Sequence, residues 1–154
     1  MERNVFDAES CFTLCQSFQT SVPPDISALS EQYEMSQLEI DILLFLKNNP
    51  RNNTAKEISV MRGFAKSNVS KAVESLRIQG YLTTSPDPGN RKVRRLYLTE
   101  KMQNRIDALS KCQEQCFALL LDGFTEEERL KLQEFFSRID ENITKSLNHK
   151  KHKV

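Results

Sequence analysis

Apolar positions in this chain change their spacing several times, and each change marks a boundary. Leu38, Ile42, Phe45 and Leu46, with Leu43 widening the stripe, recur at helical intervals up to Pro50. Ile58 and Met61 form a second, shorter run. Val69, Ala72, Val73 and Leu76 follow at i, i+3, i+4 and i+7, which predicts a helix over about 66–79 with one apolar stripe. The period then drops to two. Tyr81 to Ser85 and Val93 to Leu98 read as strands, joined by the turn-rich run Pro86-Asp87-Pro88-Gly89-Asn90. Helical spacing returns with Met102, Ile106, Leu109, Cys112, Cys116 and Leu120, and again with Leu132, Phe135, Phe136, Ile139 and Ile143.

The punctuation between these runs agrees with them. Ser36-Gln37-Leu38-Glu39, Thr54-Ala55-Lys56-Glu57 and Thr125-Glu126-Glu127-Glu128 are capping boxes, in which a hydroxyl and a carboxylate satisfy backbone donors reciprocally. Gly63, Gly80 and Gly123 are the expected breaks after helices. Thr99 is placed to cap the helix that runs to about Leu121, and the last helix is expected to end near Leu147. Ala65 is a poor cap for the helix of 66–79. Either Ser67 helps there or the first turn is frayed until a partner engages it. Upstream, Cys11, Leu14, Cys15 and Phe18 share a helical face. Pro23-Pro24 ends that segment, and Asp25 can cap a short helix over 26–33 carrying Ile26, Leu29 and Tyr33.

Two short helices in a tight turn, a hairpin and a further helix make a winged helix-turn-helix. The helix of 66–79 would lie in a major groove and the hairpin on the backbone or in a minor groove. Away from its stripe that helix offers Lys66, Ser67, Asn68, Ser70 and Lys71. The hairpin carries Arg91, Lys92, Arg94 and Arg95. Alternation forbids Arg94 and Arg95 from pointing the same way, so Arg91 or Lys92 at the tip is the better candidate for phosphate or minor-groove contact. The DNA-binding residues expected are therefore Lys66, Ser67, Asn68, Ser70, Lys71, Arg91, Lys92 and Arg94. The plainer readings are a solvated helix face and an edge strand protected from aggregation by charge.

Charge changes the picture only locally. The whole chain of 154 residues carries a formal +1. Residues 62–105 hold ten Lys or Arg against three acids, a net of +7, whereas 122–141 hold seven acids against three bases, a net of −4. One surface is suited to an anion and another to something else. There is no apolar run of the roughly 20 residues a membrane span needs and no signal-peptide pattern, so a cytoplasmic location is expected, with reduced cysteines. The cysteines fall in pairs four apart, Cys11 with Cys15 and Cys112 with Cys116. Such pairs share a helix face but lie too far apart for an easy disulfide. They are core-packing residues or, if the two helices meet, a redox, zinc or iron–sulfur site; otherwise no cofactor is expected. His149 and His152 read as part of a solvated basic tail. No nucleotide-binding glycine loop or assembled catalytic motif suggests an enzyme.

The run Ser67-Asn68-Val69-Ser70-Lys71, then Leu76, Gly80, Asp87-Pro88-Gly89-Asn90-Arg91-Lys92 and Leu98-Thr99-Glu100, resembles the MarR family of bacterial transcription regulators over about 35–147. The shared pattern is a polar-polar-Val-Ser/Thr-basic recognition helix, an Asp-rich wing tip bearing Arg, and a Leu-Thr-Glu exit. The resemblance implies a mainly α fold with a small β-hairpin wing, a winged helix-turn-helix plus long dimerisation helices. Residues 1–34 would be an N-terminal helical segment of the dimerisation region, 35–99 the DNA-binding domain, 100–148 the dimerisation helices and 149–154 a basic tail. It further implies a homodimer on a pseudo-palindromic operator, a repressor in the usual case, answering a small-molecule effector or cysteine oxidation. Two departures stand out. Asn90 occupies a place usually held by Asp, which removes a carboxylate expected to pin a wing arginine. Pro23-Pro24 also splits a region that is often one longer helix. From a different class, a winged-helix protein–protein interaction module without DNA binding fits the near-neutral charge and the acidic last helix.

Overall fold

The structure is a computed structural model that describes residues 13–14 and 24–151, and it divides between Glu114 and Gln115 into two compact units. The first described helix, α1, spans Pro24–Tyr33. It begins earlier than Asp25 capping would allow, with proline in the first helical position, where a missing N–H costs nothing. The expected helix around 11–18 lies outside the described residues except for Thr13 and Leu14, which are helical.

Helix α2 (Gln37–Asn48) is the centre of the first unit. Ser36 and Glu39 close its capping box, with the Ser36 N–H donating to Glu39 Oε2 at 2.7 Å. The stripe expected for α2 is too narrow. Ile40, Ile42, Leu43, Leu44, Phe45 and Leu46 are all buried, while Leu38 is only partly so. The five consecutive buried residues 42–46 cover every side of the helix and cannot be hidden by one neighbour, and α2 contacts α1, the helix Lys66–Ile78 and the strand Arg94–Leu98. A helix apolar on all sides is a buried helix, which explains the departure from simple amphipathic spacing.

Helix α3 (Ala55–Arg62) starts from the Thr54–Glu57 capping box and ends at Gly63, whose φ of +70° is left-handed. Helix α4 (Lys66–Ile78) follows at once. Its C-terminus is a Schellman closure. Gly80, at φ +78°, donates to the Arg77 carbonyl at 3.0 Å, and Tyr81 donates to the Leu76 carbonyl at 2.9 Å. Leu76 and Tyr81 are both buried, the apolar contact that accompanies such a motif.

Strands β1 (Leu82–Pro86) and β2 (Arg94–Leu98) pair antiparallel, Leu82 opposite Leu98 and Pro86 opposite Arg94. Each is shifted by about a residue from the sequence expectation. Residue 54 adds a single bridge to Arg95, so the stretch before α3 acts as a third, one-residue strand. Helix α5 spans Glu100–Leu120. The expected Thr99 cap takes another form: its hydroxyl donates to the Gly80 carbonyl at 2.6 Å and its N–H to the Tyr81 carbonyl at 3.0 Å, which ties the start of α5 to the end of α4. Met102, Ile106 and Leu109 of α5 are fully buried, and Cys112 packs against the same core.

In the second unit, Gly123 turns at φ +80° and the Thr125–Glu128 box opens helix α6 (Glu126–Lys151), which continues past the expected end near Leu147. Its predicted stripe lies on the surface of the single chain: Phe135, Phe136, Ile139 and Ile143 are exposed. Among the described residues no helix is long and apolar enough to cross a membrane.

Leu76 holds α4 to the core with no exposed surface. Leu76→Ala should cost about 2–5 kcal/mol of unfolding free energy through lost transfer and a residual cavity. Urea unfolding at fixed protein concentration checks this; a loss under about 1 kcal/mol would show the site is not tightly packed.

Candidate nucleic-acid interface

One face of α4 is committed to the core by Val69, Ala72 and Leu76, with Val73 half-buried beside them. That commitment fixes what the other face presents. Lys66, Ser67, Asn68, Ser70 and Lys71 are all exposed. None of the five side chains enters an ion pair or side-chain hydrogen bond among the described residues. Ala65 provides no side-chain cap, so the first-turn amides of α4 face outward without a capping side chain. The turn leading into α4 is held from behind, where Ser59 Oγ donates to the Phe64 carbonyl at 2.7 Å. The C-terminal end is held by Gln79, whose amide reaches Ser75 Oγ at 3.0 Å and Glu39 at 3.3 Å.

Glu39 is a buried carboxylate at this junction. Burial pushes its pKa up, but hydrogen bonds from Ser75, the Ser36 backbone and hydroxyl, and Gln79 outweigh that and hold it below the ordinary value. It therefore stays charged, closing the α2 cap and joining α2 to the end of α4. On the exposed flank, Arg77 forms a two-pronged pair with Glu74 at 2.7 and 2.9 Å and is already satisfied.

The wing is built around Asp87. Its Oδ2 accepts from the N–H groups of Gly89 and Asn90 at 3.0 and 3.1 Å, shaping the tip. Its Oδ1 accepts from Arg95 Nε at 2.8 Å. The same guanidinium donates to Asn53 Oδ1 at 3.0 Å and lies 3.7 Å from Glu57 Oε2. Asn53 is itself buried and is bound to β2 through both backbone and side chain: its carbonyl accepts from Leu96 N–H at 2.8 Å, and its amide donates to the Leu96 carbonyl at 3.0 Å. Arg91, Lys92 and Arg94 remain exposed and make no ion pair among the described residues.

Residues 33–92 match the family model described as MarR family. Over 82 residues the chain is 29% identical to YybA of Bacillus subtilis strain 168, an uncharacterised HTH-type transcriptional regulator. That alignment takes in 53% of this chain and 55% of YybA, so the chain spans about half the length of the curated relative it matches. A MarR protein from Peptoclostridium difficile superimposes with a TM-score of 0.70 at 19% identity, over 95% of this chain and 94% of its own. A SlyA-like regulator from Listeria monocytogenes gives 0.71 at 19%, over 99% and 97%. MepR of S. aureus, in a complex with DNA, gives 0.68 at 15%, over 91% and 99%.

Residues 33–92 are thus similar to the MarR family, and the chain shares its fold with MarR-type structures.

Asn90, in place of the Asp that the resemblance implies, was expected to leave a wing arginine unpinned. That is corrected by Asp87, three residues earlier, which takes the arginine, while Asn90 Oδ1 accepts instead from the Lys92 N–H at 3.1 Å. The arginine held is Arg95. Its clasp with Asp87, Asn53 and Glu57 was not read from the sequence. The signal available was alternation: Leu96 is buried, so Arg95 must point to the opposite face of β2 from it. Arg94, by contrast, is exposed as expected.

Cys112 and Cys116 are half-buried on α5, whereas Cys11 and Cys15 lie outside the described residues. Among the described residues no group of three or more His, Cys, Asp or Glu is gathered to hold a metal.

The Arg95 hydrogen bond is the main reason the Asp87 carboxyl lies below its usual value, burial opposing it and the tip amides adding to it. A depressed carboxylate stabilises the fold fully above its unfolded value, about 3.9, and that contribution is lost as pH falls through the folded value. The wing clasp should therefore persist at neutral pH and open only in acid, below the ordinary carboxylate range. NMR titration of the Asp87 carboxyl checks this: Arg95→Gln should move the midpoint upward, and an unmoved midpoint would show that the pair is not formed in solution.

Proposed function

We propose that the protein is a homodimeric transcriptional regulator that binds a pseudo-palindromic DNA operator, usually as a repressor, and answers a small-molecule, redox or metal signal. The observation that carries this reading is the convergence of unengaged donors. Five exposed side chains on α4 and three cations on the wing are available to an outside anion, whereas Arg77 and Arg95 beside them are already paired with carboxylates. Ser67 and Asn68 have the donor and acceptor groups that base edges and phosphates require, and Lys71, Arg91, Lys92 and Arg94 suit phosphates or a narrow minor groove. A neighbour of the same fold, MepR, is seen with DNA.

The dimer is supported by apolar surface. Phe117, Leu120, Phe124, Phe135, Phe136, Ile139 and Ile143, all in the second unit, are between 43% and 60% exposed. Phe135, Phe136, Ile139 and Ile143 recur at helical spacing on α6, and large apolar side chains exposed in such a stripe mark a contact surface. A symmetric dimer on DNA would place its two α4 helices in half-sites about one helical turn apart. For the signal, the supporting features are half-buried Cys112 and Cys116 and an open groove of about 550 Å³ along α4, lined by Ser70, Lys71, Glu74, Ser75, Ile78 and Gln79.

Binding to a duplex from upstream of the protein's own gene should weaken steeply with salt. Lys71→Ala should weaken all sequences alike and flatten the log–log salt slope by about one unit. Fluorescence anisotropy from low to high salt measures both; a slope that Lys71→Ala leaves unchanged removes Lys71 from the phosphate contacts. Separately, Ile139→Asp should convert a dimer to a monomer in sedimentation analysis, and an unaltered dimer would place the interface elsewhere.

A further inference from the structure

We infer that Asp87 is a positioning residue for DNA recognition. Through Arg95 it clamps the wing onto the entry to α3, and through its other oxygen it shapes the tip, so that Arg91 and Lys92 are presented as a unit in a fixed relation to α4. The inference rests on the DNA-binding reading above.

The geometry is specific. One carboxylate serves two tasks, receiving two tip amides on Oδ2 and the guanidinium on Oδ1. Arg95 bridges the wing to Asn53 and Glu57, both at the start of the helix-turn-helix. Its Nη1 also faces the Arg51 carbonyl at 3.4 Å. The side chains of Asp87 and Arg95 keep only 19% and 28% of their exposure, so the clasp is partly shielded from water. A two-stranded hairpin is not stable alone and takes its orientation from what it is tied to. Here the ties are this guanidinium and the Asn53–Leu96 pairing. Arg95 is thereby consumed in structure, while Arg91, Lys92 and Arg94 remain outside any ion pair among the described residues. Asp87 is an acid beside a DNA-binding face. It repels phosphate, so its value for binding must come through what it holds in place.

That opposition of sign makes the test decisive. Asp87→Asn keeps the shape and removes one negative charge. If only the electrostatic field mattered, DNA binding would tighten or stay the same. If Asp87 positions the wing, binding to the upstream duplex should weaken, by roughly tenfold for contacts of this size. The loss should vanish in an Arg91→Ala, Lys92→Ala background, because the misplaced side chains are already gone. Tighter or unchanged binding in the otherwise native protein, or an equal loss in both backgrounds, would overturn the inference. Amide hydrogen exchange gives a reading independent of DNA. Gly89, Asn90 and Leu96 should lose protection in Asp87→Asn while the α5 amides keep theirs; unchanged protection at all three would also overturn it. Failure of the native protein to bind DNA would count against the functional reading alone, since the exchange experiment still judges the clamp.

Discussion

A helix that is apolar all the way round dictates the rest of the first unit. Residues 40 and 42–46 of α2 cannot meet water on any side, so the chain must supply cover from several directions. Tyr33 and Ile26 of α1, Ile58 of α3, Val69 and Leu76 of α4, Leu96 of the wing and Met102, Ile106 and Leu109 of α5 supply it. Each covering element spends its apolar face inward and so has its polar face turned outward. The exposed donors of α4 are a consequence of burying α2, since rotation of α4 about its axis would bring Lys71 into the core and Leu76 into water.

The remaining freedom is at the ends of elements, and it is removed by hydrogen bonds to charged groups. Glu39 closes the cap of α2 and reaches Gln79 at the end of α4. Tyr81, just beyond α4, has Lys101 at 4.7 Å and Arg105 at 5.0 Å from its ring centre, and Arg105 also lies 4.8 Å from the ring of Tyr33. Arg105 thus sits between two aromatic rings, one from α1 and one from the strand entry, and donates to the Tyr81 hydroxyl. Cation–π contacts of this kind are worth about 0.5–2 kcal/mol each, enough to fix an angle between elements already packed together. At the opposite end the wing is set by Arg95. The recognition helix is located by packing and the wing by polar bonds, so the two halves of the interface answer to different perturbations.

Much of this was legible in residue order. The three capping boxes all form, because each needs only side chains three apart. The stripe of α4 and the glycine breaks at Gly63, Gly80 and Gly123 are likewise local. Features that depend on distant partners were not legible. Leu44 and Ile40 fall outside the stripe expected for α2, yet both are buried because α2 is covered from several sides. Thr99 reads as a cap, but its hydroxyl bonds to the Gly80 carbonyl, nineteen positions earlier. Asn53 looks like a turn residue, and only the folded chain brings it to Arg95, forty-two positions later. For the candidate interface, the exposed side chains were named from spacing and charge, while the groups that hold them in place were not, since those make their contacts across elements.

We propose that α4 and the wing form one DNA-reading surface, used twice by a symmetric dimer. Hydroxyl-radical footprinting on the DNA upstream of the protein's own gene tests it most directly. The expected result is two symmetry-related protected patches whose centres lie one helical turn, about 10–10.5 base pairs, apart, with weaker flanking protection where each wing lies. A single patch without two-fold symmetry, or no protection at protein concentrations that saturate binding, would contradict it.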